Sequence, residues 1–453
     1  MTVATDIAAT GFESTDKVRA SLARRHAAEK RFRLIGLVAI LLGLGFVAIL
    51  FASILAKGLP AFWQSNIRLT INLDPAIIKI SPPPQQQEGQ SNAAHQAELL
   101  AWRGELASLN WGRLIENALI AELPSDAAQR RRDVSRLVTS GERFKLRDLV
   151  AANPNLIGST VDVDLLADAN VDVWVKGNID RTLPDAQLPL NPAQRNYVAV
   201  LQEKGLLVQR FASGLFVNVD SRSSLASAGL AGAFIGSLYM MLIVIVLAVP
   251  VGVAAAVYLE EFATKNRLTD LIEININNLA AVPSIVFGLL GAAVFINWLR
   301  LPLSAPLVGG LVLTLMTLPT IIIATRATLR AIPPSIRQAA IGLGASRVQT
   351  ITHHLLPLAI PGILTGAIIG VAQALGETAP LLLIGMSAFV ASVPVTPLDQ
   401  STALPVQIYL WQGNELRNFF EARTSAAIIV LLALMVMLNG LAIFLRRRFE
   451  KRW

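Results

Sequence analysis

The sequence predicts an all-α polytopic membrane protein of six transmembrane helices, with a small α+β extramembrane domain between the first helix and the second. Three observations carry that expectation. Of 453 residues, 53% are hydrophobic and 15% charged; six long runs contain no Asp, Glu, Lys or Arg; and basic residues gather outside those runs. A soluble domain averages roughly 45–50% apolar and about 25% charged residues, so this excess cannot hide in one soluble core. Cysteine is absent, which excludes disulfides, thiolate metal sites and cysteine nucleophiles, and only four histidines remain for imidazole chemistry.

The tail 1–33 comes first and carries Lys17, Arg19, Arg24, Arg25, Lys30, Arg31 and Arg33. Residues 34–56 form the first run, whose 23 residues reach roughly 35 Å against a hydrocarbon core of about 30 Å. It is too long and too far from the N terminus for a cleaved signal peptide. The other runs, 223–259, 274–299, 301–325, 348–376 and 424–445, read as five more spans. Only Glu377 interrupts the stretch 348–398, which leaves one crossing or two there. The C-terminal tail, 446–453, carries Arg446, Arg447, Arg448, Lys451 and Arg452. Basic flanks mark the cytoplasmic side, so both termini belong there and the number of crossings is even. Residues 326–347, with four arginines and no acid, then lie inside as well, and 386–423, with Pro394, Pro397 and Pro405, form an external excursion. The net charge of +8 is mostly topology, and nucleic-acid binding loses its support.

Residues 57–222 have a different composition, and parity places them outside, in the periplasm. Their length suits a domain. A Pro- and Gln-rich linker at 81–87 opens it. Helical patterns follow at 94–121 and 125–139, where Asp133 and Arg136 can pair one turn apart. Alternation at 171–175 and 214–219 predicts strands. Asp162, Asp164, Asp168 and Asp172 match no calcium loop, lacking its glycine and terminal glutamate, and read as solvated strand faces.

No phosphate loop, H-E-x-x-H or G-x-S-x-G motif is present. His353 and His354 are adjacent and point about 100° apart on a helix, a poor metal pair. The informative residues run from Gln338 to Pro357, Q-A-A-I-G-L-G-A-S-R-V-Q-T-I-T-H-H-L-L-P, in the basic segment between two spans. Physically this is a short helix over 334–343, a glycine break at Gly342 and Gly344, and an amphipathic return to the membrane. The alanines leave a shallow face for a partner.

The segment resembles the cytoplasmic coupling loop of binding-protein-dependent ABC importer permeases, E-A-A-x-x-x-G followed by a terminal L-P. Ala339, Ala340, Gly344, Leu356 and Pro357 match at the right spacing; Gln338 replaces the usual glutamate, and His354 replaces an apolar residue. Gly376-Glu-Thr-Ala-Pro-Leu-Leu-Leu-Ile-Gly385 and Pro283-Ser-Ile-Val-Phe-Gly288 are similar to signatures of the phosphate permeases of PstA type. The resemblance covers roughly 224–453 and the first span. It implies one of two permease subunits, paired with a PstC-type partner, two PstB-type ATPase subunits and a periplasmic phosphate-binding protein. It also implies no enzyme activity and no cofactor in this chain, ATP being bound by partner subunits. Many relatives carry an arginine where Gln373 stands, and the arginine and glutamate of an R-T-T-E run fall at Ile323 and Arg326, so the phosphate route does not transfer residue for residue.

On a helix, Gly362, Gly366, Gly370, Gln373 and Glu377 fall within roughly 80° of one another, a stripe small at one end and polar at the other. Small residues four apart favour helix packing, and polar residues in a span face the bundle interior or water. Gln373, Glu377 and Thr378, with Arg326 as a local countercharge, are therefore the candidate translocation residues. Packing alone is the competing reading of the stripe. Two functions remain: a permease subunit for phosphate, or for another oxyanion such as sulfate, molybdate or phosphonate; or a membrane-anchored receptor working through its external domain. The topology is testable at once. A cysteine placed at Gln90 is expected to react with a membrane-impermeant thiol reagent in intact cells, and labelling only after lysis reverses the assignment.

Overall fold

The computed structural model describes residues 3–449 apart from 82, 87–89, 388 and 391, with no side-chain description for 3–20, 23, 445 and 449. Part of the 81–87 linker and residues 450–453 of the basic tail, Lys451 and Arg452 included, thus lie outside the described residues, as do the side chains of Lys17 and Arg19. Two compact units are present, Met1–Ala56 and Lys57–Trp453.

Helix α1 (Val3–Gly58) makes up the first unit and runs on into the second. Its apolar side chains, Leu34 through Leu55, are exposed on every side, as in a helix that meets lipid or another chain.

The second unit opens with an insert built on a three-stranded antiparallel sheet, β1 (Trp63–Asn72), β2 (Thr160–Leu166) and β3 (Leu207–Phe211), in the order β2-β1-β3. Alternation sets its faces. Ile67, Leu69 and Ile71 of β1 are buried, while on the other face Thr70 donates to Asp162 at 2.6 Å and Asp164 pairs with Arg68 at 3.2 Å and Arg210 at 2.6 Å. Helices α2 (Asn92–Ser108), α3 (Trp111–Glu122), α4 (Arg131–Ser135) and α5 (Glu142–Ala152) lie between β1 and β2. The helical pattern at 94–121 is broken because the Asn110 side chain accepts from Arg113 N–H and starts a new helix. The stretch 125–139 holds a 3-10 turn and the short α4. Asp133 is engaged by Asn191 at 2.8 Å rather than paired with Arg136.

Between β2 and β3 come α6 (Ala169–Lys176) and α7 (Pro192–Glu203), and α8 (Gly214–Val217) follows β3. Both expected strands are therefore helical. At 171–175 Val171, Asp172 and Val173 are all buried, so alternation reported no exposed face; Asp168 caps the helix start and Gly177, at φ 73°, ends it. At 214–219 a single helical turn forms before the chain extends at Asn218.

The membrane core contains α9 (Ala231–Val257), α10 (Arg267–Ala280), α11 (Ser284–Gly291) and α12 (Pro306–Ala331). After α13 (Pro334–Gly342) and α14 (Arg347–Gln349) come α15 (Leu356–Gly376), α16 (Ala379–Leu383), α17 (Leu404–Gln412) and α18 (Arg417–Phe449). π-helical turns extend α9 (Tyr258–Phe262) and α11 (Ala292–Trp298) and lead into α15 (Thr350–Leu355). Among the described residues five helices are long and apolar enough to cross a membrane, α15 counting with its leading turns. The run 274–299 is not a sixth straight span: α10 and α11 meet at 102°, and counting the bent pair as one brings the number to six. Pro283, which cannot continue α10, sits at the bend and precedes Ser284 as the cap of α11. No spanning helix lies in 386–416 among the described residues, only the nine-residue α17.

The insert is welded to the N-terminal end of α18. Asp172 and Lys176 pair at 2.6 Å, both almost fully buried. Ser65 N–H donates to Asp172 at 2.8 Å, and Lys176 also donates to the Trp63 carbonyl at 2.6 Å. Beside them Arg423 of α18, 2% exposed, donates to the carbonyls of Ala226 and Ala228 and stacks 4.8 Å from the Phe419 ring. Burial lowers the pKa of the Lys176 ammonium, with Asp172 opposing that shift. Removing one partner of a buried pair costs about 3–5 kcal/mol because the other charge stays buried alone. Asp172→Ala is therefore expected to lower the melting temperature of the purified protein sharply, and adding Lys176→Met should recover much of the loss.

Candidate functional site

Two prolines, 333 and 334, open α13, where a missing N–H costs nothing. Ala340 is buried, and Ile336 of the same helix packs with Leu356 against the buried cluster of Leu329, Ile332, Ile351 and Leu355. Gln338 and Ala339 face outward. The helix ends at Gly342, and two residues on Gly344 turns the chain at a φ of +86°, which favours glycine, while Ala345 N–H reaches back to the Ala340 carbonyl at 3.1 Å. Ser346 and Gln349 then form a capping box that starts the return helix, and Pro357 lies in its first membrane turn. The turn leaves Leu343 91% exposed, with Ile341 and Val348 each more than half exposed. These three make an apolar ridge outside the membrane helices. His353 is exposed, its Nδ1 3.2 Å from the Gln349 carbonyl and 3.0 Å from Thr352, a surface role as its spacing suggested.

A network of charges holds this loop against the core. Arg326 of α12 contacts Glu260 at 3.3 Å and Glu273 of α10. Arg330 reaches both oxygens of Glu260 at 2.9 Å. Arg337 of α13 pairs with Glu261 at 2.7 Å and donates to the Leu329 and Ile332 carbonyls at 2.9 and 3.3 Å. Arg326 is thus neutralised by Glu260 and Glu273, not by Glu377. Sequence reasoning missed Glu260, Glu261, Glu273 and Arg337. The available signal was charge balance: four arginines without an acid in 326–347, and two glutamates closing the second apolar run.

The glycine stripe meets α12. A Cβ at Gly362 would strike Thr328, one at Gly366 would strike Ala324, and one at Gly370 would stand 3.5 Å from Ile321. The polar end departs from the helical expectation. Helix α15 ends at Gly376, and Glu377 is extended, at φ −75° and ψ 130°, so the stripe stops one residue before it. Among the described residues Glu377 makes no side-chain hydrogen bond or ion pair; the expected bond from Gln373, which is exposed, does not form. Thr378 caps α16. The two quoted motifs touch each other: a Cβ at Gly288 would lie 2.7 Å from Pro380, so α16 seats directly on α11. A separate cavity of about 530 Å³ opens near the insert, between Arg222, Phe389, Gln407 and Trp411, away from both the loop and Glu377.

A family model described as a binding-protein-dependent transport system inner membrane component matches residues 248–453, and one described as a domain of unknown function (DUF3333) matches 19–185. The chain is 32% identical over 235 residues to the phosphate transport system permease protein PstA of Xylella fastidiosa, covering 49% of this chain and 76% of the relative. It is 33% identical over 248 residues to PstA 1 of Mycobacterium tuberculosis, covering 54% and 73%. To a probable ABC transporter permease protein, YqgI of Bacillus subtilis, it is 34% identical over 171 residues, 37% of this chain but only 56% of that relative's length. Among solved structures, an inward-facing MetNI methionine ABC transporter overlaps 49% of this chain and 96% of its own at 20% identity, with a TM-score of 0.37.

The Arg337–Glu261 pair is measurable by itself. Arg337→Met and Glu261→Gln are each expected to lower thermal stability in detergent, with a double-mutant coupling of about 0.5–3 kcal/mol. Strict additivity of the two losses would show that the pair does not hold the loop.

Proposed function

Because the chain belongs to the PstA-type permeases of the binding-protein-dependent ABC importers, we propose that it is one permease subunit of an ATP-driven phosphate importer. It works with a PstC-type partner permease, two PstB-type ATPase subunits and a periplasmic phosphate-binding protein. Both termini and the 330–357 loop face the cytoplasm, and residues 57–222 face the periplasm. The carrying observation is the ridge of Leu343, Ile341 and Val348: apolar, outside the membrane helices, and uncovered in the single chain. An ATPase subunit is the partner that this loop is built to meet. Gln338, Ala339 and Gly344 shape the docking face, Ala340, Leu356 and Pro357 fix it to α15, and Arg337 with Glu261 ties it to the end of α9. A push delivered at the ridge thereby reaches three spans through rigid contacts.

The unpaired Glu377, with Gln373 and Thr378 nearby, faces the translocation path shared with the partner permease. A carboxylate near the bilayer centre costs roughly 2.5–3.5 kcal/mol on insertion scales, so it calls for a partner's donor or for water. Being negative, it repels phosphate and serves to orient a basic group across the interface rather than to hold the anion.

Cells lacking this gene are expected to lose high-affinity phosphate uptake, and restored uptake should resist competition by sulfate and molybdate. Competition by either would move the substrate to another oxyanion. In the same assay Leu343→Asp should abolish uptake and co-purification of the ATPase while the protein stays at normal levels in the membrane, because the side chain is almost fully exposed in the single chain. Undiminished uptake would remove the loop from the coupling role.

A further inference from the structure

Aromatic side chains gather where the chain leaves the membrane core and where it returns. Phe62 and Trp63 follow the first apolar run, which ends at Ala56, by only a few residues. Phe211 and Phe216 stand at the end of β3 and in α8, on the way back to α9. Phe62 stacks on Phe216 at 6.0 Å, Phe216 on Phe211 at 6.1 Å, and Trp63 meets Phe211 edge-on at 6.3 Å. Trp63 and Phe211 are also opposite one another in the β1–β3 pairing. Phe62 packs against the core, but the other rings do not belong to it: Trp63 is 46% exposed, Phe211 57%, Phe216 43% and the neighbouring Val217 71%.

Contacts to α18 fix their height. Lys57 pairs with Glu421 at 2.7 Å. Gly58 lies so close to α18 that a Cβ would stand 2.6 Å from Ile429 and 2.9 Å from the Ser425 backbone. Residues 57–62 thus run beside the place where α18 passes from its charged end into its apolar stretch, and the rings begin there. In water, a contiguous apolar patch of this kind is an aggregation hazard. At a membrane–water boundary the same rings are favoured, since Trp concentrates at the headgroup level and Phe on an apolar face sinks into the headgroup–acyl boundary. Continuity with a span selects lipid over a soluble partner.

We propose that Trp63, Phe211, Phe216 and Val217 form a collar that seats the insert in the headgroup layer of the outer leaflet. This rests on the membrane topology of the preceding reading. The collar gives the insert a second attachment beside the Asp172–Lys176–Arg423 joint, so that it stands on the bilayer as well as on α18.

Having no cysteine, the chain takes single spin labels without background. Labels at Val217→Cys, at Glu98→Cys on the exposed face of α2 and at Leu42→Cys in the first span are read in the transporter purified with its own partner subunits and reconstituted in phosphatidylethanolamine and phosphatidylglycerol vesicles. The expected result is an oxygen-to-nickel-chelate accessibility ratio at 217 several-fold above that at 98 and approaching that at 42. Nickel accessibility at 217 equal to that at 98 overturns the collar by placing it in water. Low accessibility to both reagents at 217 overturns it in favour of a protein neighbour. A label at 42 that reads as water-exposed overturns the membrane topology and the collar with it.

Discussion

Helices in lipid gain nothing by hiding apolar side chains from one another, so the close approach of α12 to both its neighbours is the contact on which the rest depends. Glycines make it on each flank. Gly310 of α12 leaves room for Ile243 of α9, where a Cβ would stand 2.7 Å away, and Gly252 of α9 leaves room for Ile321, at 2.8 Å. On the other flank Gly362, Gly366 and Gly370 of α15 receive Thr328, Ala324 and Ile321. Helix α12 is accordingly the most buried of the five long helices. Its fixed position decides where Arg326 and Arg330 stand, and through them where α13 begins.

Charge completes what the glycines start, and it does so at opposite ends of the core. At the insert end, Asp172, Lys176 and Arg423 lock a water-soluble fold onto a membrane helix. At the loop end, Glu260, Glu261 and Glu273 meet Arg326, Arg330 and Arg337. Between the two, the spans carry few ionisable groups, because an unpaired charge in hydrocarbon is expensive. Glu377 is the exception: among the described residues nothing pairs with its side chain.

What could be read from the sequence follows from the range of each interaction. The short helix and glycine break of the 330–357 loop were legible because both are local, with Pro334 opening the helix and Gly342 and Gly344 closing it; the capping box of Ser346 and Gln349 was in view but was not read. The apolar runs were legible because bilayer thickness sets their length. The bend at Pro283 escaped a count of charges, although the proline itself was in view, since a charge-free run says nothing of direction. Alternation at 171–175 misled because α6 is buried on several sides, and the better signals were the caps Asp168 and Gly177. Arg423 looked like the boundary of the last run. Its burial depends on Ala226 and Ala228, nearly two hundred residues away, and no local pattern reveals that.

The π-helical turn Thr350–Leu355 has a consequence for phase. A π turn holds one residue more than the α turn it replaces, and each residue advances an α-helix by about 100°. Because the wide turn sweeps about the same rotation with one residue more, it absorbs that residue without changing the phase between the apolar ridge at Leu343 and the glycine face on α15. A deletion that relaxed this turn to α would leave both faces in register, whereas a deletion within the regular helix of α15 would turn one against the other by about 100°. The junction, with Thr350, Ile351 and Leu355 buried, is thus the one place on this helix where the residue count can change while the loop keeps its aim.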